Sequence, residues 1–372
     1  MNIDEAVLLT QDRLTEEGGT MADLLDRFRS RISPVLIGNR EWKLILERAG
    51  RLPISMGAQP FGFELPLHDS RPVADFGVSM ASGNRSGSFY VEKARTDKTD
   101  ETARAVGRLF AEMEAQQSPL RDIVGRKLML EYDIGSASDS CGSLPGMFLR
   151  PNERTLSGGG GFERDVGIVV DALVSSVGWE RVPAERENAE RVYLAQPDGT
   201  RMDSFGVFPS RERTIRLAIM GFNGQEAICS YLENTGWPGP LSAVDSVISR
   251  FGERADIVRT GANIDVRANG LGPTLGLTPI VKQRYTNDSR YWIDGQTDWD
   301  PVLEALRYED FVVPEKLEAL GDWASKPTTL FGRSGPFVML RGIHHIKLVI
   351  SENRLDKVKA YLYMVLSGAL SI

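Results

Sequence analysis

Residues 127–134, Lys127-Leu-Met-Leu-Glu-Tyr-Asp-Ile134, alternate between apolar and polar side chains along most of their length. A half-buried β-strand has this period-two pattern, because successive Cβ atoms point to opposite faces of the sheet. Leu128, Leu130, Tyr132 and Ile134 share one face, and Lys127, Glu131 and Asp133 share the other. Three further segments repeat the pattern: Thr-Ile-Arg-Leu-Ala-Ile-Met at 214–220, Asn-Ile-Asp-Val-Arg at 263–267 and His-Ile-Lys-Leu-Val-Ile at 345–350. Their polar faces carry Thr214 and Arg216, then Asn263, Asp265 and Arg267, then His345 and Lys347. One apolar and one polar face per strand indicates an antiparallel sheet, since parallel strands covered on both faces read as continuous apolar runs.

Helical stretches separate the strands and need that apolar face to cover. Residues 1–55 read as an N-terminal helical extension, with Leu24, Leu25, Phe28 and Ile32 forming a helical stripe. Residues 56–372 read as a barrel-like domain of repeated ββα units. Strands at 61–66 and 74–80 put Glu64 and Asp75 on the polar face, and a helix over 99–117 follows with Asp100 as its N-cap. The order then recurs: strands 127–134 and 147–150, 203–208 and 213–220, 262–268 and 273–282, 337–340 and 343–350. The spacing predicts a closing helix over 354–366. The expected fold is α+β: about ten antiparallel strands closing into a barrel with helices outside and a polar, solvent-filled lumen. An open sheet is the alternative.

The composition bounds the partners. The chain has 372 residues, 26% of them charged, with a net charge of −7 and no basic run, which argues against a nucleic-acid partner. No apolar run approaches the roughly 20 residues of a membrane-spanning helix, and the first residues lack a signal-peptide pattern. Cys141 and Cys229 are far apart and show no metal spacing, which fits a cytoplasmic protein. The Gly158–Gly161 run lacks the ending of a phosphate loop.

Candidate chemistry lies on the polar strand faces. Lys127, Arg216, Arg267 and Lys347 place four cations on four strands, a set suited to an anionic substrate or to salt bridges with Glu131, Asp133 and Asp265. Glu131 and Asp133 lie about 7 Å apart on one face, suited to acid–base chemistry or to a divalent cation. His345 points to the lumen as a general base or a structural group, while His344 is expected to face the helices. No histidine metal site is expected.

These alternating strands, set in successive ββα units, resemble the aromatic prenyltransferases of the α-β-β-α barrel type over roughly residues 60–370. Asn263–Arg267, with the Gly270-Leu-Gly-Pro-Thr274 turn behind it, is similar to a strand pair in the peptide prenyltransferases of cyanobactin pathways. Fungal indole enzymes of this type carry basic-x-basic-x-Tyr patterns on their strands. Here Lys359-Ala-Tyr361 looks similar but falls in the stretch that reads as helix, so no strand is expected to carry the pattern.

The resemblance implies an isoprenyl diphosphate inside the barrel, bound by Lys127, Arg216, Arg267 and Lys347, with an aromatic or peptide acceptor above it. Glu131 or Glu64 would take the acceptor's proton. No motif demands a cofactor, and Mg2+ is compatible with the diphosphate. Two other readings use the same barrel. One is a non-catalytic partner that presents substrate in a peptide-modifying complex. The other is a lyase or cyclase moving protons through Glu131, His345 and groups around Tyr132.

Overall fold

The computed structural model describes residues 3–135, 144–152, 156–252, 254–255, 257–281, 299–323 and 327–368. Strands β1 (Phe61–Pro66), β2 (Asp75–Ala81), β3 (Val124–Tyr132), β4 (Gly146–Pro151), β5 (Arg201–Val207), β6 (Ile215–Phe222), β7 (Ile257–Arg267) and β8 (Gly270–Val281) lie side by side in chain order. β8 pairs with β10 (Gly335–Ser351), β10 with β11 (Arg354–Ser367), and β11 returns to β1. Every pairing is antiparallel, and these ten strands close into a barrel. β9 (Thr328–Gly332) pairs with the first part of β10, along the edge that β8 takes further on.

The end of the chain differs from the sequence reading. Residues 337–340 and 343–350 are not two strands but one, β10, and 354–366 is not a helix but its partner, β11. Leu355, Val358, Leu362 and Leu366 mimic a helical stripe, which misled the reading. From Val358 on the stretch also fits period two: Val358, Ala360, Leu362, Met364 and Leu366 are all buried. Val358, Tyr361, Tyr363 and Val365 are the β-branched and aromatic residues that favour a strand.

Helices fill the long crossovers. α4 (Arg85–Thr96), α5 (Glu101–Glu114) and the short α6 (Leu120–Ile123) join β2 to β3. α7 (Glu163–Ser176) and α8 (Pro183–Leu194) join β4 to β5, and α9 (Gly224–Thr235) and α10 (Leu241–Gly252) join β6 to β7. α11 (Asp300–Tyr308) and α12 (Pro314–Trp323) precede β9. α1 (Ile3–Glu17), α2 (Met21–Asp26) and α3 (Asn39–Ala49) come first, and Leu14 and Leu24 of α1 and α2 pack with Leu366 of β11 around Gly57. Asp100 caps α5 by accepting from the Ala103 N–H at 2.7 Å, and α5 buries Val106, Leu109, Phe110 and Met113.

The hydrophobic core is the shell between barrel and helices. Phe63, Phe76, Trp42 and Trp323 meet there with ring centroids 6.0–6.3 Å apart. Burying such side chains contributes about 1.5–3 kcal/mol each. Inside the barrel, large inner side chains stand beside glycines. Glu131 is flanked by Gly77 and Gly146, and Arg216 lies opposite Gly206. A Cβ on Gly276 would lie 3.1 Å from the Lys347 side chain. The missing side chains leave room for the long charged ones, a large-beside-small arrangement usual in narrow barrels.

Candidate functional site

Carboxylates gather on the inner face of β1–β3. Glu64 on β1 faces Asp75 across the β1–β2 pair, and Glu131 follows on β3. One oxygen of each lies within 4.8 Å of the other two. Glu64 and Glu131 are buried, and Asp133 joins them just past the end of β3.

A single guanidinium serves most of this group, and it comes from the β5–β6 loop. Arg211 Nε donates to Asp133 Oδ2 at 2.9 Å, and its terminal nitrogen donates to Asp133 Oδ1. The same nitrogen donates to Glu131 Oε1 at 3.3 Å and lies 3.9 Å from Asp75. Ser210 Oγ adds a 2.7 Å bond to Asp133. The guanidinium stacks over the Phe208 ring, 4.0 Å from its centroid, and Phe148 meets Phe208 edge-on.

Cations dominate the other side. Arg216 on β6 grips Asp265 on β7 with two bonds of 2.8 and 3.0 Å. The Phe208 ring contacts both guanidinium groups, since Arg216 lies 4.8 Å from its centroid. Lys359 on β11 pairs with Glu64. Lys347 on β10 donates to the Tyr361 hydroxyl at 3.0 Å, and that hydroxyl is bonded in turn to Glu64. His345 lies flat on Tyr361, with ring centroids 3.9 Å apart.

Burial and neighbours set the protonation states. Burial alone would raise Glu64, but Lys359, Lys347 and the Tyr361 hydroxyl overcome it and hold the carboxyl at about 2. Burial and the Glu64 charge raise Glu131 to about 7, against the pull of Arg211, Lys359 and Lys347. Burial, then the charges of Glu64 and Glu131, raise Asp75 to about 8. Burial and the nearby Arg216 lower Lys347 to about 8. Glu131, Asp75 and Lys347 therefore all exchange protons near neutrality, the range suited to general acids and bases.

The all-oxygen set of Glu64, Asp75 and Glu131 has the chemistry of a hard divalent site. Its charges are already taken: Lys359 lies on Glu64, and Arg211 on Glu131 and Asp75. A metal ion would have to break the strand-borne Lys359–Glu64 pair, so the arrangement does not fit a resident metal.

Of the residues expected from sequence, Glu64, Glu131, Asp133, Arg216, Asp265, His345 and Lys347 all line this lumen. Lys127 shares the inner side of β3 but is exposed near the strand's start, four residues from Glu131. Arg267 is partly exposed and pairs with Glu212 of the β5–β6 loop at 2.9 Å. Neither joins the central cluster. The two histidines do not face opposite ways as expected. A bulge in the β10–β11 register at His344 brings the rings together, with Nδ1 atoms 2.8 Å apart. Trp299 and Trp323 donate to the Ile343 and Gly342 carbonyls just before this bulge. Cys141 lies outside the described residues.

With this geometry in view, solved structures supply the comparison. The 5-dimethylallyltryptophan synthase of Streptomyces coelicolor superposes with a TM-score of 0.51 at 14% identity, covering 92% of this chain and 97% of that one. The 6-dimethylallyltryptophan synthase of Micromonospora olivasterospora, solved with DMASPP and Trp, gives 0.50 at 14% identity, with coverage of 93% and 97%. Another 6-dimethylallyl tryptophan synthase gives 0.52 at 14% identity, with coverage of 93% and 96%. The fold is the α-β-β-α prenyltransferase barrel. At this identity the likeness concerns architecture alone. No protein-family model matches the sequence, and no curated protein matches it.

Placing β11 in this barrel also corrects the motif reading. Lys357-Val-Lys359-Ala-Tyr361 is a basic-x-basic-x-Tyr pattern on a strand, which the sequence reading excluded by calling the segment a helix. Period two puts Lys359 and Tyr361 on the inner face, where they contact Glu64 and Lys347. Lys359 and Tyr361 were thus missed as site residues, although the pattern was visible. Arg211 was missed for another reason. It sits on a loop, where no periodicity announces it.

Proposed function

We propose that this chain is a prenyltransferase-like enzyme of natural-product biosynthesis that binds an isoprenyl diphosphate in the lumen and transfers the prenyl group to an aromatic or peptide acceptor. The observation that carries this reading is the set Arg216, Lys347 and Lys359, with Tyr361, projecting from β6, β10 and β11 into the α-β-β-α barrel. In that reading, the C1–O bond of the donor breaks and its electron pair leaves with the diphosphate. Fixed cations favour this step because their charge is in place before the anion forms. The rings of Phe148, Phe208 and Tyr361 line the same space and suit a carbocation, whose charge aromatic faces stabilise. The acceptor then attacks C1 and its proton passes to Glu131, whose carboxyl is poised at about 7.

Isothermal titration with dimethylallyl, geranyl and farnesyl diphosphate tests the proposal. Binding in the wild type that is lost in Arg216→Ala supports it, and the absence of binding by all three overturns it. Product analysis with tryptophan and tryptophan-containing peptides then identifies the acceptor. A second reading draws on the raised carboxyls. Asp75 and Glu131 could serve as an acid–base pair for a lyase or cyclase that needs no diphosphate.

A further inference from the structure

The anionic side of the lumen owes its neutralisation to a residue unlike the others. Arg216, Lys347 and Lys359 are strand residues, fixed by the register of the sheet. Arg211 belongs to the loop between β5 and β6, outside the strand register. The surroundings it occupies match a planar guanidinium: a two-point fork to Asp133, a further bond to Glu131, Asp75 alongside and the Phe208 ring beneath. The side chain is 33% exposed, so this seat opens to solvent. The loop itself is anchored elsewhere: Arg213 bonds Glu185 at 2.7 Å, and Glu212 pairs with Arg267. Arg211 can therefore swing out by side-chain rotation while the loop stays in place.

Buried carboxylates without a counter-charge are costly. A chamber built to receive a cationic ligand on this side needs a resident cation when the ligand is absent. We propose that Arg211 is that resident, a displaceable stand-in for a guanidinium group on the acceptor, which takes over its seat on Asp133, Glu131, Asp75 and Phe208. As a statement about the acceptor, this rests on the prenyl-transfer reading. The seat itself can be tested without it. The lumen then sorts its ligands by charge, with the anionic donor among Arg216, Lys347 and Lys359 and the cationic acceptor among the carboxylates. A guanidinium is favoured over an ammonium, because only the planar group uses the fork and the ring together.

The test is calorimetric titration with agmatine, and with putrescine as an ammonium control, on wild type, Arg211→Ala and Arg211→Gln, with circular dichroism to confirm folding. Agmatine should bind the emptied seat at least about tenfold tighter than the wild type, where the seat is mostly filled. It should also raise the melting temperature of those variants by mass action. Adding Asp133→Asn should abolish both effects, and putrescine should bind more weakly. If neither folded variant binds agmatine, or if binding ignores Asp133→Asn, the proposal is overturned. The same proteins are titrated with dimethylallyl diphosphate. Agmatine binding without diphosphate binding keeps the seat and removes the prenyl-transfer reading; diphosphate binding without agmatine binding does the reverse.

Discussion

The two sides of the lumen solve the same problem in different ways. On the β6–β11 side, the half-buried cations Arg216, Lys347 and Lys359 sit on strands, and Arg216 and Lys359 each hold a carboxylate partner from the adjoining strand, Asp265 and Glu64. On the β1–β3 side, Asp75, Glu131 and Asp133 share one arginine that arrives from a loop. The protonation states follow. Glu64, beside two lysines, is held at about 2, while Glu131 and Asp75, further from them, rise to about 7 and 8. The Arg216–Asp265 and Lys359–Glu64 pairs come from adjoining strands whose register sets them side by side, and they act as scaffold. Loop-borne charge can move, and two of the carboxyls beside it, Glu131 and Asp75, stand close to their titration points.

The largest effect should come from breaking the strand-borne pairing. Lys359→Ala leaves Glu64 buried without its main partner and should cost about 3–5 kcal/mol of stability. Urea unfolding measures this, and Lys359→Met with Glu64→Gln should recover most of the loss. If Lys359→Ala is neutral, the strand-borne side is not the rigid one. Next, Arg216→Ala should weaken prenyl diphosphate binding by about 10²-fold, comparable to losing one preorganised anion donor. Retained affinity would mean that Arg216 only steadies Asp265.

The titrating side predicts a pH dependence of stability. Asp75 and Glu131 have raised folded-state pKa values, so the folded chain holds protons that the unfolded chain releases. Stability from these groups should therefore fall as pH rises from about 4 to about 8. Lys347, lowered to about 8, acts the other way above that point: the unfolded chain keeps its proton up to about 10.4, so stability recovers as pH rises. Unfolding midpoints across this range should show the decline, and Asp75→Asn should flatten it. An unchanged slope in that variant would remove Asp75 as the source. The smallest effect should come from metal. Because Lys359 and Arg211 already occupy the carboxylate cluster, millimolar Mg2+ or EDTA should leave the melting temperature where it was. A clear rise with Mg2+ would show that those cations yield to it.

Much of this was legible in the sequence where period two was unbroken. The strands bearing Glu131, Arg216, Asp265 and Lys347 could be read directly, and their polar faces do converge. The reading failed where two periods coincided, as in 354–366, whose apolar residues fit both a helix and a strand. That one error hid Lys359 and Tyr361 and, with them, the strand that closes the barrel. The bulge at His344 was equally invisible, because an extra residue changes the facing of its neighbours without changing the composition. Arg211 lay beyond any pattern argument, since a loop side chain is placed by tertiary packing alone.

The closing pair has a consequence for how the chain reaches this state. Phe61 pairs with Met364, so the ring shuts between its first strand and its last. The hairpins β1–β2, β5–β6, β7–β8 and β10–β11 join strands close in sequence and can form early. The seam must wait until nearly the whole chain is present, and contacts of such long sequence separation form slowly. During synthesis the chain must therefore pass through an open curved sheet with β1 and β11 unpaired, which leaves two exposed edges of the kind that recruit other strands. A truncation before β11 should stop the chain at that stage, with its polar inner face still opened to water.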